Sequence, residues 1–167
     1  MKLIKDDYLL FEKIRRRNRD KLSREERIFT KSEKELMKSQ TFGSIHTIDD
    51  SKIPDFHNAR KLKKDFYRRS KIRPGVVITS PSEETNYETQ WAPMSTKCKS
   101  REQLYTVFLK RGVENVVEDS VILLNYRSWY MFKTLSERKG KLSSGKQEEL
   151  RRKLENLINL ETREDNE

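Results

Sequence analysis

The two residue types most often used as nucleophile and general base near neutral pH are scarce in this chain, with one cysteine and two histidines. Cys98 is the single cysteine, and it stands between Lys97 and Lys99. Two neighbouring ammonium groups would lower a thiol's pKa and favour the nucleophilic thiolate. A catalytic thiol also needs a base, however, and neither His46 nor His57 is near it in sequence. The blander reading is a solitary reduced thiol. One cysteine cannot form an internal disulfide, and that fits a reducing cytosol.

Binding chemistry is better provided for. The 167 residues carry a net charge of +10, unevenly spread. Residues 1–70 hold 20 Lys/Arg against 12 Asp/Glu, while residues 71–167 hold 17 against 15. A basic surplus concentrates polyanions, of which nucleic acid is the commonest, although a solvated basic helix needs no partner. In the basic run after Ala59, Phe66 and Tyr67 are interleaved with Lys and Arg. Such rings either stack on RNA bases or tuck into the core.

The elements that must position these residues follow from the apolar pattern. Only 33% of the residues are hydrophobic and 38% are charged, so one core over the full length is not expected, and the apolar residues concentrate after position 71. There, short β-branched runs (Val76-Val77-Ile78, Val107-Phe108-Leu109, Val121-Ile122-Leu123-Leu124) are closed by Pro, Gly, Ser, Asn or Asp. They read as half-buried or fully buried strands. Further strands are expected over Asn86–Pro93, with Trp91 and Met94 inward, over Gln103–Lys110 and Asp119–Asn125 about a turn at Arg111-Gly112, and over Arg127–Lys133. Ser143 or Ser144 caps a last helix with Leu150, Leu154, Leu157 and Ile158 at i, i+4, i+7 and i+8.

Upstream, weakly amphipathic basic helices are expected from Asp6 or Asp7 to Asp20 and over residues 24–39, the second behind a capping box at Ser23. Phe42, Ile45 and Ile48 suit a short strand. The expected organisation is a basic, mainly helical extension over 1–70, a β-domain with a terminal helix over 71–160, and a polar tail over 161–167. No segment approaches the length of a membrane-spanning helix. The short apolar stretch at Tyr8–Phe11, followed by Arg15-Arg16-Arg17, does not read as a signal peptide.

Several short strands and a terminal helix suit a small barrel, and the residues point further. R-P-G-V-V-I from Arg73, A-P-M-S from Ala92, E-N-V-V-E-D-S-V-I-L-L from Glu114 and K-G-K-L-S from Lys139 stand in this order. The set resembles the MazF/PemK family of toxin endoribonucleases over about residues 71–160. The resemblance implies an α+β fold built on an SH3-like β-barrel, and a cytoplasmic homodimer held in check by an antitoxin protein. It also implies cleavage of single-stranded RNA through attack by the ribose 2′-hydroxyl, with no metal or cofactor. The arginine of the family's R-P motif falls on Arg73, and its catalytic threonine falls on Ser95. Thr96, Lys97 and Arg127 follow as RNA contacts.

The implied chemistry is physically sensible. A phosphate under internal attack gathers charge on its non-bridging oxygens, which a guanidinium fork stabilises bidentately and a hydroxyl supports by donating a hydrogen bond. A guanidinium with a pKa above roughly 12 is a poor general base. A histidine near Arg73, either His46 or His57, would suit that role. Two family features are absent. The R-T-I-D piece after the L-L strand is replaced by Tyr126-Arg127-Ser128-Trp129, with the arginine one place early and no acid. The first strand's G-D-[IV] piece has no match, so something within 41–70 is expected to replace it. The alternative function is a module that binds nucleic acid or protein without catalysis.

Overall fold

The β-branched runs do become strands, and they pair into one curled antiparallel sheet. The computed structural model describes residues 29–53, 72–96 and 105–165. Among these the strands are β1 (Ser44–Asp49), β2 (Ile72–Thr79), β3 (Glu88–Ser95), β4 (Thr106–Leu109), β5 (Ser120–Leu123), β6 (Ser128–Met131) and β7 (Gly140–Lys141). Helix α1 (Lys31–Ser39) precedes them and helix α2 (Ser144–Glu164) follows. The order across the sheet is β4-β5-β3-β2-β1-β7, and β6 also pairs with β3. The architecture is α+β, a half-barrel of strands with a C-terminal helix. Among the described residues no helix is long and apolar enough to cross a membrane.

The chain forms two compact units, Met1–Lys34 and Glu35–Glu167. Ser44–Asp49 is therefore a strand of the main unit, hydrogen-bonded to β2 and β7, although the sequence reading placed it in the N-terminal extension. Of the helix expected over residues 24–39, residues 24–28 lie outside the described residues and the described part runs from Lys31, behind a capping box at Thr30. The Glu33 N–H donates to Thr30 Oγ1 at 3.2 Å, and the Thr30 N–H donates to Glu33 Oε2 at 3.2 Å. The helix expected over residues 8–20 and the basic run of 55–70 lie outside the described residues.

β3 organises the sheet. On one edge it pairs with β2 over Gln90–Pro93. On the other it pairs first with β6 over Glu88–Trp91 and then with β5 at Met94 and Ser95. Pro93 stands at this change of partner, where a missing N–H breaks no ladder bond. The strand starts two residues later than its apolar pattern suggests, because Asn86 and Tyr87 are left-handed, with φ of 55° and 60°. With the Glu88 N–H donating to Thr85 O at 3.1 Å, they form the tight turn between β2 and β3.

Both faces of the sheet are covered. One carries Ile45, Val76, Met94 and Ile122 against Leu150, Leu154 and Leu157 of α2, each leucine contributing about 1.5–3 kcal/mol. The other carries Ile48, Ile53, Val77, Trp91, Tyr130 and Leu135. Trp91 meets Tyr130 edge to face at 5.7 Å. Trp91 and Met94 are both buried, as expected, but on opposite faces. Helix α2 is held at its start by Glu114, which accepts the Ser143 N–H at 2.8 Å and the Ser143 hydroxyl at 2.6 Å. The Ser143 hydroxyl oxygen in turn accepts the Lys146 N–H at 3.3 Å. Ile158, expected on the buried stripe, is 54% exposed. The helix runs on through Glu164, into the stretch expected to be a tail.

Candidate functional site

Arg73 enters the sheet at the start of β2, where it pairs with Ile48 of β1. The β2–β3 ladder ends two residues further on, at Gly75↔Pro93. Pro74 accounts for this ending, since it has no N–H to give to β3. Arg73 and Ser95 each stand two residues beyond that last pair, Arg73 on β2 and Ser95 on β3. Alternation puts Arg73 on the face of Gly75 and Val77, and Ser95 on the face of Pro93 and Trp91. These are the same face. The two residues given catalytic roles by resemblance, 22 positions apart in the chain, thus share one face where two neighbouring strands stop bonding. Both are half-buried, and Thr96 just beyond is exposed.

The floor beside them is tightly packed. A Cβ on Gly75 would lie 2.2 Å from the Trp91 ring and 2.4 Å from the Ala92 carbonyl oxygen, so only glycine lets the indole lie there. The indole N–H donates to the His46 carbonyl at 3.2 Å. The glycine of R-P-G therefore serves Trp91 packing next to Arg73.

His46 does not supply a general base. Its residue is fully buried. Its Nδ1 lies 2.8 Å from the Ser136 carbonyl oxygen and its Nε2 lies 3.0 Å from Ser44 Oγ. A carbonyl only accepts, so Nδ1 carries the proton in the neutral ring. Burial lowers the histidine's pKa below its ordinary value, and Arg138 adds to the lowering, while the Ser136 and Ser39 carbonyls act the other way. The ring is a structural tie between β1 and the segment before β7, closed to a 2′-hydroxyl.

Arg127 is also occupied. Its guanidinium donates to the Leu124 carbonyl at 3.0 Å and to both carboxylate oxygens of Glu161 on α2, at 2.9 and 3.0 Å. These bonds tie it to the helix. The one-residue offset from the family's R-T-I-D piece thus coincides with a different job. Lys97, Cys98 and His57 lie outside the described residues.

One residue of this face escaped the sequence reading. Phe108, within a run read as a half-buried or fully buried strand, is 50% exposed. The available signal was alternation, since Val107 and Leu109 on either side are fully buried. No protein-family model matches this chain, and no curated protein matches it either.

Proposed function

We propose that the protein is a metal-independent endoribonuclease of the MazF/PemK type, acting on single-stranded RNA. The observation that carries the reading is the shared face of Arg73 and Ser95 at the point where β2 and β3 part. A half-barrel with a C-terminal helix is compatible with it. Arg73 stabilises the charge that gathers on the phosphate, and the Ser95 hydroxyl donates to the same group. The 2′-oxygen forms a bond to phosphorus as the bond to the 5′-oxygen breaks, and the proton lost from the 2′-hydroxyl is balanced by one gained at the 5′-oxygen, leaving a 2′,3′-cyclic phosphate and a free 5′-hydroxyl. On this reading the protein is a cytoplasmic homodimeric toxin with an antitoxin partner.

The second reading is a binding module without chemistry, which the occupied fork of Arg127 and the missing acid favour. Cleavage of a long labelled RNA in EDTA separates the two. Wild type is expected to cut at a recurring short sequence and leave cyclic phosphate ends. Arg73→Ala is expected to lose about 10²–10³-fold in rate, the usual cost of removing one such donor. Intact RNA that is still shifted on a gel by both proteins would replace the ribonuclease with the binding module.

A further inference from the structure

The strand register extends the candidate site across the sheet to a residue with no role so far. Phe108 on β4 pairs with Val121 on β5, and Val121 pairs with Ser95 on β3. Residues directly opposite one another share a face, so Phe108, Val121 and Ser95 form one row, on the face that also carries Arg73. Two strand spacings, roughly 10 Å, separate Phe108 from Ser95.

The exposure of Phe108 is not shared by the other residues of its strand. It is 50% exposed, while Thr106, Val107 and Leu109 of the same strand are 7%, 0% and 0%. The next two residues, Lys110 and Arg111, are exposed cations. The exposed acids Glu118 and Asp119 on the facing arm offset part of this charge, and the Asp119 carboxylate accepts the Arg111 backbone N–H at 2.7 Å. An aromatic ring in water beside cations is how proteins hold single-stranded nucleic acid, with bases on the ring and phosphates along the charges.

We propose that Phe108 is a base-stacking platform for a nucleotide of the single-stranded RNA whose phosphate lies at Arg73 and Ser95. This rests on the ribonuclease reading and adds a subsite to it. Stacking tolerates any base, so the platform supplies affinity and register along the strand rather than sequence readout.

Steady-state cleavage of a short single-stranded RNA by full-length wild type, Phe108→Ala, Phe108→Tyr and Phe108→Trp tests it. Phe108→Ala is expected to raise KM about tenfold, the order that one stacked base is worth, with no matching fall in kcat. Tyr and Trp are expected to restore KM. The emission of Phe108→Trp is expected to be quenched by RNA beyond any change shown by Trp91 and Trp129 in wild type. A merely structural phenylalanine would give no such quenching. Wild-type KM in Phe108→Ala, or an unquenched Phe108→Trp at saturating RNA, would overturn the platform and leave the ribonuclease standing. Wild type that neither cuts nor binds RNA would overturn both.

Discussion

The two faces of this sheet are built from the same strands and are finished differently. The face under α2 is closed by leucines at helical spacing, and Leu150 and Leu157 are almost wholly buried. The opposite face is closed over Trp91, Tyr130 and Ile48 but gives way to half-buried Arg73 and Ser95 and exposed Phe108. An apolar face needs only volume and shape complementarity. On the proposed reading the second face, the working face, also needs polar groups held open to solvent beside a tightly packed floor. Here the floor is the Trp91 indole lying on Gly75.

The sharpest way to break the comparison is one substitution on each face. Leu150→Ala removes a fully buried side chain beneath α2 and should cost about 2–5 kcal/mol. Cleavage by the molecules that remain folded should be unaffected. Gly75→Ala forces a methyl into the Trp91 ring, an overpacking that should cost about 1–3 kcal/mol, and the displaced indole should disturb Arg73. Denaturant melts paired with cleavage per folded molecule check both. If Leu150→Ala lowers specific activity as much as Gly75→Ala does, the two faces are not separate in function.

A smaller effect concerns His46, the buried histidine of β1. Burial holds His46 below its ordinary pKa of 6.5, so between those two values the unfolded chain binds more protons than the folded one. Stability should therefore fall as pH drops below about 6.5 and level off once the folded pKa is passed. Above about 6.5 this group should contribute no pH dependence. The Ser44 hydroxyl lies 3.0 Å from Nε2 and 2.7 Å from the Thr41 carbonyl, so it can turn from one to the other as the ring gains a proton. His46→Asn keeps a donor near Nδ1 for the Ser136 carbonyl and should flatten the profile below pH about 6.5. Denaturation midpoints across that range decide it, and an unchanged slope in the variant would assign the dependence to other groups.

How much could be read from the sequence follows from this two-sided burial. The apolar runs at Val76–Ile78 and Val121–Leu124 located their strands because nothing but a covered strand needs such short, dense runs. Ser143 and the leucine spacing located α2 for a similarly local reason. Which face a residue occupies was less legible, because a strand covered on both sides loses its polar alternation. Trp91 and Met94, three apart, were read as pointing one way and point in opposite directions. Phe108 was hidden inside an apolar run although it faces water. Arg73 and Ser95 were legible as types but not as neighbours. Their meeting depends on where a ladder ends, which Pro74 decides and which no spacing displays.

The least costly contact is the most useful for telling the two arginines apart. Arg127 is held by Glu161, 34 residues away in sequence, in an ion pair whose carboxylate side is 58% exposed and whose arginine side is 16% exposed. Solvent screens such a pair, and removing it should cost no more than about 1 kcal/mol. Glu161→Gln weakens the clamp, and Arg127→Ala removes the guanidinium. If Arg127 reached RNA, the first change would release a cation toward the substrate and lower KM, and the second would raise it. The bonds to Leu124 and Glu161 keep the guanidinium on the α2 side, so neither variant should move KM for a short RNA, while both should lower the melting midpoint slightly. Opposite shifts of KM in the two variants would bring Arg127 into the RNA site and extend the working face around the edge of the sheet. Unchanged KM in both, beside the loss expected for Arg73→Ala, would confine the chemistry to the face where β2 and β3 part.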